Sequence, residues 1–252
     1  MGSSSTRRTV KSAAAFVALI LCVSLAYVLG RSNGGRSGGR CSATVTLDDF
    51  KAGILKAGLF TGGPEDRFED VGRQTLATSI TIGLMPEHKV LDIGAGALRV
   101  GWWLVHYVDP SNYYAIEPAR ERIDTAARLL NMDINIRYND DFKFPDVEFD
   151  FVLARSIWTH ASKSMISKML AEFAEHSTPE GKFLTSVLLA RSEQEDYKGD
   201  AWVGKVLETD PSGVVKHSLG WIITECKRHG LSMQQVGDLH GQIWLLIARE
   251  SK

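Results

Sequence analysis

Beyond about residue 44, two periodicities alternate along the chain. Apolar runs at 89–93, 113–117, 134–138, 149–154 and 182–189 have the length and make-up of strands, and the stretches at 98–107, 119–130 and 163–176 carry apolar residues at helical spacing. The last helix is the plainest. Met165, Ile166, Met169, Leu170 and Phe173 share one face, Ser162 stands where a cap belongs, and Pro179-Glu-Gly181 stops it. Methionines at that spacing are core packing. Two further helices precede the alternation, at 47–57 and 68–83, the second with Val71, Leu76, Ile80 and Leu84 on one side. A helix at 216–229, closed by Gly230, leads into strands at 231–237 and 242–249, joined across Asp238-Leu-His-Gly241 by a hairpin-like turn. Such alternation predicts an α/β domain, a doubly wound parallel sheet covered by helices on both faces.

The beginning of the chain follows a different pattern. Ser12 to Gly30 is a run of 19 uncharged residues bracketed by Lys11 and Arg31. As a helix it reaches about 28 Å, close to the thickness of a bilayer core. The chain therefore divides into a basic tail (1–11), a transmembrane helix or signal anchor (12–30), a flexible Gly/Ser/Arg linker (31–43) and a globular domain (44–252). A cleaved signal peptide is the rival to a retained single pass, although the run exceeds a usual signal core and no clear Ala-x-Ala site accompanies it. Three basic residues flank each side, so charge bias does not choose the orientation. A short tail, a short span, a stem and a C-terminal domain resemble the type II layout of Golgi glycan-modifying enzymes.

Composition adds little until it is divided. Hydrophobic residues make up 44% and charged residues 23%, ordinary for a chain with a real core. The net charge of −1 hides six basic and no acidic residues in positions 1–40, which leaves 23 basic against 30 acidic residues in the remainder. An acidic domain argues against broad nucleic-acid binding, which draws on a basic surface. Cys22, Cys41 and Cys226 have neither metal-ligand spacing nor the even count of a disulfide framework.

Candidate chemistry concentrates in Val90-Leu-Asp-Ile-Gly-Ala-Gly-Ala-Leu-Arg99. A strand runs into a Gly-Ala-Gly turn and then a helix, so a ligand can press against main-chain N–H groups there. Glu117 ends the next apolar run, 21 positions after Gly96, where an acid is placed to accept hydrogen bonds from a ribose. Together they point to a nucleoside-containing cofactor. A dinucleotide fingerprint wants a third glycine where Arg99 stands, which weakens a nicotinamide reading, and Asp92 suits a ligand with an amine-bearing end.

These residues resemble the class I S-adenosylmethionine-dependent methyltransferases, whose first motif is apolar-apolar-Asp-apolar-Gly-x-Gly followed by an acid closing the second strand. The likeness covers about residues 67–249. The phrases Gly83-Leu-Met-Pro-Glu-His-Lys-Val-Leu-Asp-Ile-Gly, Ala97-Leu-Arg-Val-Gly101, Asn112-Tyr-Tyr-Ala-Ile-Glu-Pro118 and Leu239-His-Gly-Gln242 are similar to a methyltransferase-domain group often tied to surface glycans. The resemblance implies a Rossmann-like seven-stranded sheet, mostly parallel with an antiparallel C-terminal strand, and S-adenosyl-L-methionine as cofactor. It implies that Gly94, Ala95 and Gly96 lie under the methionine part, that Asp92 meets its amino group and that Glu117 holds the ribose. Asp141 and Phe142 would frame adenine. Arg155, at the sheet edge where ligands bind, is counted with the cofactor-binding residues, although it departs from the small or polar residue more usual there.

His160, just past the fourth strand, is the best candidate base by placement, with His240 and His106 behind it. Trp102 and Trp103 are expected in helix packing, and the polar stretch Arg191 to Gly213 is the expected substrate lid. The favoured expectation is a membrane-tethered enzyme that methylates a hydroxyl or carboxyl of a glycan or small molecule. Two alternatives stay open: an anchored cofactor-binding module without turnover, and a nicotinamide oxidoreductase.

Overall fold

The structure, a computed structural model, describes residues 45–204 and 213–250. The expected span at 12–30 lies outside them, and no helix among the described residues is long and apolar enough to cross a membrane. The elements run α1 (Leu47–Lys56), α2 (Phe68–Thr81), β1 (Val90–Ile93), α3 (Gly101–Val105), β2 (Tyr113–Ile116), α4 (Arg120–Leu130), β3 (Asn135–Arg137), β4 (Phe149–Ala154), α5 (Lys163–His176), β5 (Ser177–Val187), α6 (Leu219–Arg228), β6 (Leu231–Leu239) and β7 (Gln242–Arg249). Serine and threonine caps open three of the helices: Thr46 accepts the Asp49 N–H, Ser162 that of Met165 and Ser218 that of Trp221.

Seven strands form one sheet in the order β3-β2-β1-β4-β5-β7-β6. Neighbours from β3 through β5 pair in parallel, and β7 runs antiparallel between β5 and β6. The mostly parallel sheet with an antiparallel C-terminal strand is thus observed. His240 and Gly241 both have positive φ, 55° and 75°, the backbone of a two-residue hairpin turn that matches strand twist. Consecutive residues of β4 feed opposite faces: Phe151 and Leu153 enter one cluster with Leu98, Tyr113 and Ile123, while Val152 and Ala154 join Trp158, Ile166 and Phe173. A strand buried on both sides needs an unbroken apolar run, which is why these segments carry no alternation.

Three expectations shift. The helix expected at 98–107 contracts to Gly101–Val105, because the chain first makes turns in which Leu98 has a φ of 57°. Val71 is buried in α2 as expected, but Leu76 and Ile80 are only half-buried, and the fully covered positions are Phe68, Val71, Gly72, Thr75 and Ser79. Thr75 and Ser79 go inside without losing hydrogen bonds, since their hydroxyls donate to the Val71 and Thr75 carbonyls at 2.8 and 2.9 Å. Finally, α5 ends at His176 and β5 begins at once, ahead of Pro179; the extra residues form an irregularity between the Phe149–Ser177 and Phe151–Lys182 pairs.

The order reverses between β1 and β4, so the chain leaves these neighbouring strands in opposite directions and a crevice opens at their C-terminal ends. Asp92, Glu117 and Arg155 all lie at that edge.

Candidate active site

A cavity of about 230 Å³ fills the crevice. Of the residues expected to hold a cofactor, Asp92, Gly94, Ala95, Gly96, Glu117, Phe142 and Arg155 line it, and so does His160. Asp141 does not. Its carboxylate turns back to accept the Lys143 N–H at 3.1 Å, and Asp140 faces the cavity instead. Phe142 decides this, because its φ of 59° swings its ring inward and leaves the preceding acid outside.

The glycine loop is built differently from expectation. Its N–H groups are consumed by the protein: those of Gly94 and Ala95 donate to the Ile116 carbonyl at 2.8 and 3.1 Å, and that of Gly96 to Glu117 Oε2 at 2.8 Å. The loop therefore offers room rather than donors. A Cβ on Gly94 would stand 2.1 Å from Ile157 Cδ1, at a φ of 69° that side chains rarely adopt.

Glu117 is 4% exposed, with Oε1 accepting the Ala119 N–H at 3.0 Å and lying 3.6 Å from Arg122 Nη1 in an ion pair. Burial raises its carboxyl, and the Ala119 and Gly96 N–H groups and the Arg122 charge pull the other way. A carboxylate offers about four lone-pair directions. Backbone donors take two, and the others remain for hydroxyl donors in the cavity.

Asp92 is 3% exposed and accepts the Tyr113 hydroxyl at 2.8 Å. That contact requires Gly101, where a Cβ would lie 2.5 Å from the Tyr113 oxygen. Burial pushes the Asp92 carboxyl up to about 7, the Tyr113 hydrogen bond opposes this, and the Glu117 charge adds to it. Since the folded value lies above the unfolded one, this group favours the ligand-free fold at low pH and loses that contribution as pH rises toward 7. A ligand amine prefers the ionised form, so the sign reverses for binding. Affinity for an amine-bearing nucleoside is expected to be about tenfold weaker at pH 6 than at pH 8, with the dependence lost in Asp92→Asn, measured by calorimetry at both pH values.

His160 is 5% exposed, and its Nδ1 faces two carbonyls, those of Val203 and Gly213, each at 2.9 Å. Only a protonated Nδ1 satisfies that pair, so in the neutral ring Nε2 carries the lone pair. No described residue hydrogen-bonds to Nε2. Trp202 stacks on the imidazole at 5.4 Å and on Phe142 at 6.3 Å, making an aromatic wall. The other histidines fall elsewhere: His106 Nδ1 meets the Trp102 carbonyl at 2.6 Å within its own helical turn, and His240 lies 3.7 Å from Asp70. Neither lines the cavity. Trp102 and Trp103 pack edge to face at 5.0 Å, also away from it. Of the expected lid, Trp202 reaches the cavity; residues 205–212 lie outside the described residues.

Arg99 lines the cavity in a role that the sequence conceals. Only 6% exposed, it donates to the carbonyls of Phe68 at 3.3 Å and Pro64 at 3.4 Å, and also to those of Gly62 and Arg67. Its guanidinium also lies over the Phe60 and Phe68 rings at 5.4 and 5.9 Å. The side chain that replaces a third glycine thus ties segment 62–68 onto the site, putting Thr61 and Gly62 in the cavity wall. Arg99→Leu is expected to destabilise the fold by about 2–4 kcal/mol in urea unfolding, because four carbonyls lose a charged donor.

Among the described residues no group of His, Cys, Asp and Glu could hold a metal ion. The donor set fits an adenosyl amino acid: a buried acid for an amine, a second acid for ribose hydroxyls, an aromatic face and a cradle that any Cβ would fill.

Comparison with known proteins agrees. A family described as "methyltransferase domain" matches residues 90–181, the segment from β1 into β5. Magnesium protoporphyrin IX methyltransferase from Synechocystis, solved with bound SAH, superposes with a TM-score of 0.56 at 12% identity, over 81% of this chain and 97% of its own. DesVI of Streptomyces venezuelae gives 0.56 at 13% identity, over 81% and 98%. The glycopeptide N-methyltransferase MtfA, solved with S-adenosyl-L-methionine, gives 0.52 at 16% identity, over 73% and 94%. At these identities the likeness is one of fold.

Proposed function

We propose that this chain is an S-adenosylmethionine-dependent methyltransferase acting on a small molecule or a glycan. The observation that carries the reading is the convergence of Asp92, Glu117 and the Gly94 cradle on one cavity at the sheet's switch point. It is supported by the match of residues 90–181 to a methyltransferase domain and by the shared fold. When bound, the cofactor supplies a methyl group activated on a sulfonium. The protein's part is to position and to desolvate, which provides much of such a barrier. Asp92 holds the amine, Glu117 the ribose hydroxyls, and Phe142 and Asp140 the adenine. His160 Nε2 accepts the proton of an acceptor hydroxyl, while Nδ1 stays committed to the Val203 and Gly213 carbonyls. Trp202 and Ile157 keep water out.

Arg99 argues against the nicotinamide alternative, because its place is needed by a small residue in a dinucleotide site and here it carries the 62–68 segment. The uncharged run at 12–30 supports a tether that keeps the enzyme at a membrane. The test is calorimetric titration of the full chain with S-adenosylmethionine, followed by labelled-methyl transfer to fractionated glycans, lipids and small metabolites. Failure to bind the cofactor overturns the reading. Binding without transfer to any fraction would favour a binding module instead. Protease protection in sealed vesicles tests the tether and its side.

A further inference from the structure

Arg155 stands one residue beyond β4, on the connection that also carries Ser156 and His160, and lines the cavity half-buried. Among the described residues its only hydrogen bond is a long one, 3.5 Å from Nη1 to the Gly62 carbonyl, an oxygen that Arg99 already uses. No carboxylate pairs with it among the described residues. Asp70, one of the acids that acts on Arg99, accepts from Gln74 at 2.6 Å and Arg73 at 3.3 Å, and lies 3.7 Å from His240. Burial first and the Arg155 charge second lower the Arg99 guanidinium, against Asp66 and Asp70; burial and the Arg155 charge also lower the His240 imidazole, against Asp70. Burial brings Arg155 itself down to about 10, so it stays charged at neutral pH. The other two cations of the cavity wall are partnered by the protein: Arg122 meets Glu117, and Arg99 is wrapped in carbonyls.

A half-buried guanidinium in a cavity wall, with most of its five donors unused by the described residues, has them free for a ligand. The cofactor brings a sulfonium and an ammonium against one carboxylate, so it adds net positive charge to the same cavity. From the unpaired guanidinium in the wall shared with His160, the structure assigns to Arg155 the recognition of an oxyanion, a carboxylate or phosphate, on the methyl acceptor. Guanidinium binds either in a bidentate fork that also orients the acceptor. The acceptor class is therefore anionic, an acid rather than a neutral sugar or amine. This assignment rests on the methyltransferase reading.

The test uses the full chain loaded with S-adenosylhomocysteine. Ligand-observed NMR compares 4-hydroxybenzoate with 4-hydroxybenzamide, galacturonate with galactose, and phenyl phosphate with phenol. At least one oxyanion is expected to bind ten times more tightly than its neutral partner, with the preference abolished in Arg155→Gln and retained in Arg155→Lys. Equal binding within all three pairs overturns the assignment. A tenfold loss of S-adenosylhomocysteine affinity in Arg155→Gln also overturns it, because the oxyanion is then the cofactor's own carboxylate. If the wild-type protein takes up no S-adenosylhomocysteine, the methyltransferase reading has failed, and this assignment falls with it.

Discussion

Glu117→Ala is expected to weaken S-adenosylmethionine binding at least a hundredfold. Hydrogen bonds to a charged group contribute about 1.5–3 kcal/mol each, and two ribose hydroxyls on one carboxylate reach or exceed a hundredfold in affinity. The carboxylate is held in advance by the Gly96 and Ala119 N–H groups and the Arg122 guanidinium, so the ligand spends nothing on ordering it. The same contacts complicate the experiment. Alanine leaves two N–H groups without their acceptor and removes the ion-pair partner of the Arg122 guanidinium, which is expected to cost about 2–4 kcal/mol of stability. Glu117→Gln separates the two effects, since one amide oxygen can still take one N–H while the negative charge is gone. Calorimetric affinity should fall for both variants, and urea midpoints should fall mainly for alanine. A glutamine variant that binds as tightly as wild type would show that the ribose is held elsewhere.

How much of this site could be read in advance depended on how local its causes are. Asp92, Gly94 and Glu117 lie at the ends of two adjacent strands, and the spacing of apolar runs sufficed to bring them together. The loop's N–H groups could not be read that way. Whether they face a ligand or the Ile116 carbonyl depends on the register of β2 against β1, which no spacing states. Arg99 was legible only as a missing glycine, because its partners lie 31 to 37 residues earlier in the chain. The exchange of Asp141 for Asp140 turned on a single positive φ at Phe142. Thr75 and Ser79 escaped the apolar count because their hydroxyls are satisfied inside their own helix. Trp202 sits in a polar stretch without periodicity, and only tertiary packing against His160 gives it a place.

His160→Ala is expected to lower the turnover rate by a factor between about 10² and 10⁴, the usual range for a positioned general base. Cofactor affinity should change little, since the proposed amine and ribose contacts belong to Asp92 and Glu117. The imidazole also ties the chain at Val203 and Gly213, so alanine alone would mix lost proton transfer with a loosened wall. His160→Gln helps, because its amide can still donate to one of those carbonyls but has no basic nitrogen. If Nε2 takes the proton, both variants lose rate, the pH profile flattens on its acid limb, and added imidazole restores part of the alanine variant's activity. A purely structural role predicts that glutamine recovers the rate and that the profile keeps its shape. The result also reports on the methylated atom. A hydroxyl has a proton to surrender, whereas a carboxylate at neutral pH has none, so turnover indifferent to His160 would mean that the methyl group goes to an oxygen already ionised. An acceptor held by Arg155 through one oxyanion and deprotonated at a separate hydroxyl by His160 predicts that the two substitutions act on different constants: Arg155→Gln on KM for the acceptor and His160→Gln on kcat.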